Sequence, residues 1–427
     1  MGVAEYGLKF LTCIESTKQS NTFFSVFLFF FNQTGPKGTS STMKMVDENS
    51  VELNAILTPP FSLDGETSVE YKAPNLLQRV VSLFTNVRPG SDLTRFQLPP
   101  VFSLPKSQLQ CFGESVYCVG DDMLSKCTDG KNPLEIFIAV VGWSISTTRP
   151  LIFGVAPFNP ILGETHHASR GSLNVMLEQV SHHPPVTALH GTDETKKIET
   201  IWCHNTVPRF YGTSIEAVVH GKRQLKLISY DENYIMDSPN LLIRLFPVPS
   251  ADWVGTVTIR CKETGLEAEL SYKGHSFFGF RGSDRAIKGK ISDSSTSKTL
   301  FEIDGHWDRT VTVKDVADRK TRIIYDAKKT ISALKTPIVK DPQGLCSSES
   351  AVVWGEVNQS ILKQEWDRAS KAKRGVEDKQ RELRKERECK GETWSPNHFR
   401  VSYTKEEGWT CCPKQSWVPP APIIAPS

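Results

Sequence analysis

Two adjacent histidines followed by two prolines close the string Glu178-Gln179-Val180-Ser181-His182-His183-Pro184-Pro185. Neighbouring side chains on a regular strand point to opposite faces, so His182 and His183 diverge if the strand runs through them. The prolines donate nothing to a β-ladder and confine the pair to a strand end, an edge or a bulge. Two imidazoles held there offer N–H donors and a charge that switches near neutral pH. That chemistry suits an anionic group such as a phosphate. The same residue types serve two other roles. One is a purely structural hydrogen-bonding pair. The other is metal ligation with His166, His167, Glu164 and Glu178, for which the chain offers no HExxH and no Cys/His zinc spacing. Neither a G-x-S-x-G elbow nor a glycine-rich phosphate loop occurs, so nucleophilic and nucleotide chemistry lack a motif.

A second candidate is the charged run from Lys371 to Lys385, where Lys373, Glu377 and Arg381 recur at i, i+4 and i+8. This spacing places them on one helix face. Taken alone, the pattern reads as a solvated face with weak ion pairs of about 0.3–0.5 kcal/mol each. Lys288 and Lys290, with Arg281 and Arg285 nearby, form a smaller basic cluster. It suits an anionic membrane, where each charge contributes about 1 kcal/mol, or a merely solubilising face.

The elements that position these groups are legible in outline. Leu76, Leu77, Val80, Val81, Phe84 and Val87 fall on one face of a helix that Arg88-Pro89-Gly90 stops. A helix of about 13 residues is marginal alone in water and needs an apolar surface to cover. Residues 133–147 have a mostly apolar helical pattern. Between Val155 and Asp326, short alternating runs separated by turn residues predict an antiparallel meander forming a sandwich or barrel. Residues 356–390 read as a charged helical region with Gly375 as a point of interruption. The stretch from Val418 to Ser427 is an apolar, uncharged tail.

The 427 residues allow one large domain or two ordinary ones, and 38% hydrophobic with 23% charged residues fits a globular core. A formal net charge of +3 gives no argument for nucleic acid. Ten scattered cysteines without CxxC pairs read as reduced thiols of a cytosolic protein. The run from Phe23 to Phe31 is strongly apolar but far shorter than the ~20 residues of a membrane span. Two readings fit it: a membrane-surface anchor, or a mis-assigned start with Met43 or Met45 as the true one.

The histidine string is the signature of the oxysterol-binding-protein-related family of lipid-transfer proteins, and the chain resembles that family well beyond it. Pro157-Phe158-Asn159-Pro160-Ile161-Leu162-Gly163-Glu164-Thr165 is similar to the family's second motif, at the expected distance upstream. The likeness runs from about Asn75 to about Phe399 and is greatest to short plant members. It implies a mainly β fold: a large antiparallel β-barrel around an apolar lipid tunnel, with an N-terminal helical lid and a helical C-terminal part. The expected divisions are a variable or disordered leader over 1–72, a lid over 73–98, a barrel core over 99–345, and a C-terminal part over 346–427. The lid would carry Leu76, Leu77, Val80, Val81 and Phe84. The resemblance assigns a phosphoinositide head group to His182, His183, Lys373, Glu377 and Arg381, with backbone and amide contacts from Phe158 and Asn159. Many family members have a phosphate-contacting lysine where this chain has Ala156. The implied function is transfer, without catalysis or cofactor, of a sterol or other membrane lipid in exchange for phosphatidylinositol 4-phosphate. The setting is cytoplasmic, at intracellular membrane surfaces. A lipid-responsive scaffold that recruits partners is the alternative.

Overall fold

The computed structural model describes residues 54–63, 75–119, 122–275 and 285–426. The Phe23–Phe31 run, both candidate start methionines and Arg281 lie outside the described residues. Within them, alternating burial marks the strands. In Leu266–Tyr272, Leu266, Ala268, Leu270 and Tyr272 are buried, while Glu267, Ser271 and Glu269 are not. One face packs and the other meets water. Strands of this kind build a 16-stranded sheet. Its central pairings are antiparallel and run mostly between sequence neighbours, as a meander requires.

The sheet also closes on itself. Strand 198–210 pairs with both 214–220 and 223–227. Strand 250–261 pairs with both 240–244 and 232–236. The remaining pairings, 214–220 with 240–244 and 223–227 with 232–236, complete a hydrogen-bonded circuit of six strands. Gly221 makes the corner between strands 214–220 and 223–227. Its φ is +101°, and a Cβ there would stand 1.8 Å from the Cys203 carbonyl oxygen. Gly221→Ala is therefore expected to cost about 3 kcal/mol or more of stability, combining backbone strain with a clash against main chain. Denaturant unfolding checks this, and a loss below about 1 kcal/mol would contradict the role given to the corner.

Helices cover the sheet. Helix α1 (Leu76–Leu83) is shorter than its sequence pattern predicts. Phe84 breaks from helical geometry at its end and packs between Phe96 and Phe210, with ring centroids 5.5 and 5.1 Å away. Helix α2 (Gln108–Tyr117) starts at a capping box in which Ser107 and Gln110 satisfy each other's backbone amides. Helix α3 (Pro133–Ser146) is capped by Asn132, begins with proline, and is buried along most of its length. The short α4 (Ala327–Ile331) and α5 (Ser350–Val353) lead to α6 (Gly355–Leu362) and the 25-residue α7 (Trp366–Lys390). Gly375 does not interrupt α7, which ends instead at Gly391 in a left-handed cap.

Two expectations need correction at the ends of the chain. Residues 54–63, placed in the disordered leader, pack on the domain: the Ile56 amide donates to Ala351 and that of Leu63 to Ile331. The C-terminal part is helical only to Lys390, after which Phe399–Thr404 and Gly408–Pro413 form a hairpin. The apolar tail inserts Ile423–Ile424 between Thr165–Arg170 and Ile338–Val339, which explains why it lacks charge.

Candidate functional site

Strand Leu173–His182 returns as Pro185–Asp193 through a two-residue turn, His183-Pro184, whose peptide bond is cis. The two imidazoles do not diverge. Their ring centroids are 4.6 Å apart at 55°. His182 Nδ1 lies 2.9 Å from the Pro160 carbonyl oxygen, which ties the first motif to the second. A carbonyl only accepts, so Nδ1 donates here and Nε2 of the neutral ring carries the lone pair. Burial, then the neighbouring His183, lowers the His182 pKa against the opposing pull of that carbonyl. Burial, then the guanidiniums of Arg95 and Arg384, lowers that of His183.

The second motif is held by Glu164. Its buried carboxylate accepts from Ser107 Oγ (2.5 Å), Ser350 Oγ (2.7 Å), Trp354 Nε1 (2.9 Å) and the Ile161 amide (3.0 Å). Burial raises its pKa against these bonds. Gly163, at φ +78°, leaves room for Trp394, whose ring would stand 2.6 Å from a Cβ. Phe158 stacks on Trp354 at 4.5 Å, and with Val357 and Ile361 of α6 the pair seats Ala369 of α7.

That seat turns one face of α7 toward a cavity of about 1150 Å³. Side-chain exposure rises along this face: 14% at Lys373, 26% at Glu377, 44% at Arg381 and 56% at Arg384. The helix thus runs from the cavity out through its mouth. Lys373 Nζ is 2.6 Å from Glu377 Oε1, and Arg381 lies 3.5 Å from Glu377 Oε2 and also contacts Asp378. His182, His183, Phe158 and Asn159 line the same cavity, so all seven expected head-group residues come together. Its apolar wall draws on separate elements, among them Leu104, Phe112, Ile215, Leu241 and Trp253.

Sequence reasoning missed Gln380, Arg384 and Arg387, which continue the same helical face into the lining. Taking i+3 as well as i+4 steps from Glu377, and continuing past Arg381, would have found them. It also missed Arg95, which stands on an irregular segment and carries no periodic signal. Glu377 is the sole acid among the described lining residues, against Arg95, Lys373, Arg381, Arg384 and Arg387 near the mouth. Arg149 and Arg223 also line the cavity, but they are buried and donate to oxygens around the C-terminal ends of α2 and α3.

The remaining expected residues fall elsewhere. Val80 and Phe84 are buried against Phe210, Ile215 and Leu245, with Val81 half-buried; the side chains of Leu76 and Leu77 lie outside the described set. The following segment, Leu93 to Leu98, lines the cavity, while the described α1 side chains do not. Lys288 and Lys290 stand away from the described cavity lining. They face Asp304 and Glu302 on one neighbouring strand, and Lys290 faces Glu269 on the other. Arg285 bonds Asp252 and Asp308 at 3.2 and 3.3 Å. Acids thus stand opposite the lysines of the expected basic cluster.

The groups weighed for metal binding hold protein partners. His166 joins Glu349 (2.7 Å) and Tyr117 (2.9 Å), and Glu178 accepts the amides of Asn397 and His398 at the start of the C-terminal hairpin.

A curled antiparallel sheet around an apolar cavity with a cationic mouth defines a β-barrel ligand-binding domain. The sequence pattern described as oxysterol-binding protein matches residues 82–419, and the chain belongs to that family. It is 50% identical to oxysterol-binding protein-related protein 4C of Arabidopsis thaliana, over 87% of this chain and 99% of the relative. It is 47% identical to protein 4A of the same plant, over 89% and 99%. The fold matches the crystal structure of the Osh1 ORD domain in complex with cholesterol, with a TM-score of 0.68 at 21% identity, covering 84% of this chain and 90% of that one. It also matches the Osh3 ORD of Saccharomyces cerevisiae in complex with PI(4)P, with a TM-score of 0.60 at 19% identity over 82% and 91%. No described helix is long and apolar enough to cross a membrane.

Proposed function

We propose that this chain is a lipid-transfer protein. It buries one sterol or other membrane lipid in its cavity and exchanges it for phosphatidylinositol 4-phosphate at membrane surfaces. The observation that carries this reading is the pairing of an apolar cavity of about 1150 Å³ with a mouth holding five cations and one carboxylate. Small-molecule pockets occupy roughly 300–1,000 Å³, so the space suits a whole lipid body. Covering roughly 400 Å² of apolar surface returns on the order of 10 kcal/mol, enough to draw a lipid from a bilayer once water is excluded. The cations meet a phosphate through charge-assisted hydrogen bonds, and Glu377 accepts from ring hydroxyls. No catalytic step enters this account. Cys111, the thiol in the wall, is pushed far above the ordinary thiol range by burial and holds no thiolate for attack. Incubation with liposomes containing labelled sterol, phosphatidylserine or phosphatidylinositol 4-phosphate tests the reading. Extraction of none of the three would sink it.

Head-group binding has a defined pH dependence. The free imidazoles hold little charge at neutral pH because both pKa values are lowered from 6.5. A phosphate oxygen at His182 Nε2 requires a proton there, so the bound state holds more protons than the free state. Affinity therefore rises as pH falls from about 8 to about 6, by up to about tenfold per pH unit for each proton taken up. Titration of binding against pH checks this. A flat profile would mean that the imidazoles bind without gaining charge.

A further inference from the structure

One aromatic ring in the cavity wall comes from outside the family pattern. Every described lining residue but Phe61 falls within residues 82–419, the stretch that the pattern covers. Phe61 belongs to residues 54–63, which run as a strap along the domain. Backbone bonds tie this strap at Ile56 to Ala351 of α5 and at Leu63 to Ile331 of α4, at 3.1 and 3.2 Å. Thr58, itself buried, donates through Oγ1 to the Pro105 carbonyl at 3.4 Å. Ala55, Leu57 and Leu63 pack against the main core. Lys106 secures the ring. Its ammonium lies 5.4 Å from the Phe61 centroid, donates to the Pro59 carbonyl at 2.9 Å and pairs with Glu114 of α2 at 2.6 Å. Both charged side chains are buried, at 4% and 5% exposure, so the ammonium is held in one place beneath the ring. A cation over a ring face attracts it. Leu104, two residues before Lys106, and Cys111 and Phe112, close to Glu114 on α2, line the same cavity. The strap thus sets a fixed aromatic ring into the wall and cannot shift without breaking these contacts.

We propose that Phe61 is a specificity-determining residue, whose ring forms a fixed part of the wall that favours a rigid, fused-ring lipid over a flexible diacyl one. The inference rests on the lipid-transfer reading and names a residue that sorts its ligands. A wall held in place before binding loses little freedom when a ligand arrives. A rigid ligand loses little as well, so the two fit at low entropic cost. A gap in that wall acts unequally on the two kinds of lipid. Fused rings cannot bend into it and forfeit the contacts made there. Acyl chains turn about their torsions and fill it.

The test uses the full chain with phosphatidylcholine vesicles carrying either cholesterol or phosphatidylinositol 4-phosphate. Phe61→Ala lowers cholesterol affinity about tenfold or more, the range that lost apolar contacts give in a shaped pocket, and leaves phosphoinositide affinity within about twofold. Phe61→Leu keeps an apolar side chain on the strap and shows the same split at smaller size. The strap retains its backbone bonds in both variants, and melting temperature checks that each is folded. Should Phe61→Ala fail to fold, Phe61→Leu carries the comparison. Equal loss of both lipids overturns the inference, because the ring then serves only to hold the strap. Cholesterol affinity that stays within about twofold of the unaltered protein overturns it too, while leaving lipid transfer standing. So does an unaltered protein that takes phosphoinositide but no sterol. If the unaltered protein extracts no lipid of any class, the reading beneath the inference fails, and the inference with it.

Discussion

Replacing His182 and His183 together by alanine lowers transfer of phosphatidylinositol 4-phosphate by roughly a hundredfold or more and leaves sterol uptake nearly unchanged. Each imidazole is expected to supply a hydrogen bond to an ionised phosphate, worth about 1.5–3 kcal/mol. Losing two gives about 3 kcal/mol at the least, and every 1.4 kcal/mol is tenfold. Sterol uptake depends on the apolar wall, where Leu104, Phe112, Leu241 and Trp253 lie on elements remote from the turn in sequence. Among the described residues, the one hydrogen bond from either ring to the fold is His182 Nδ1 to the Pro160 carbonyl. The double variant therefore keeps its barrel, and its melting temperature falls by only a few degrees. Equal loss of sterol and phosphoinositide transfer would show instead that the pair acts by holding the two motifs together.

Glu164→Ala has the opposite signature: it destabilises the whole molecule and damages every lipid activity at once. The carboxylate is the shared acceptor for Ser107, Ser350, Trp354 and Ile161. Removing it strands donors in a region where Glu164 is 1% exposed and Ser107 and Ser350 are both 0% exposed. A buried donor left unsatisfied costs about 1–3 kcal/mol, and the hydroxyls regain part of this by rotating. A net loss of about 4 kcal/mol is expected, at the severe end for one substitution. The physical cause is junctional. Glu164 joins the strand entering α2 to the helices that seat α7, so its loss loosens the head-group face without touching ligand. Denaturant unfolding checks this. A variant within about 1 kcal/mol of the unaltered protein would mean that the four donors find other partners.

Much of this architecture was legible before the coordinates. The strands from 173 to 315 announce themselves by alternation, and α3 by its apolar run, because these signals are local. The two motifs, and the family resemblance that singled out Lys373, Glu377 and Arg381, led to residues that line one cavity. What escaped notice depends on distant partners. Ile423–Ile424 read only as part of an apolar, uncharged tail because its pairing strand, Thr165–Arg170, lies some 250 residues earlier in the chain, as the 252-residue separation between His167 and Pro419 illustrates. Residues 54–63 have no periodicity, and backbone bonds to Ala351 and Ile331, distant in sequence, hold them on the domain. Closure of the six-strand circuit required strands 198–210 and 250–261 to serve two partners each on one side, which no single-strand pattern encodes. The acids beside Lys288 and Lys290 went unread for the same reason. They are cross-strand neighbours, at Asp304, Glu302 and Glu269, rather than sequence neighbours.

The central claim is that one cavity serves two lipids in turn, and coupled exchange between two liposome populations tests it most directly. Donor vesicles carry labelled sterol, acceptors carry phosphatidylinositol 4-phosphate, and the protein is present far below either lipid. The account predicts that sterol moves forward over many turnovers, that phosphoinositide moves back, and that sterol transport speeds up when the acceptors contain phosphoinositide. Sterol movement with no return of phosphoinositide, or binding of both lipids to one protein molecule at once, would contradict it.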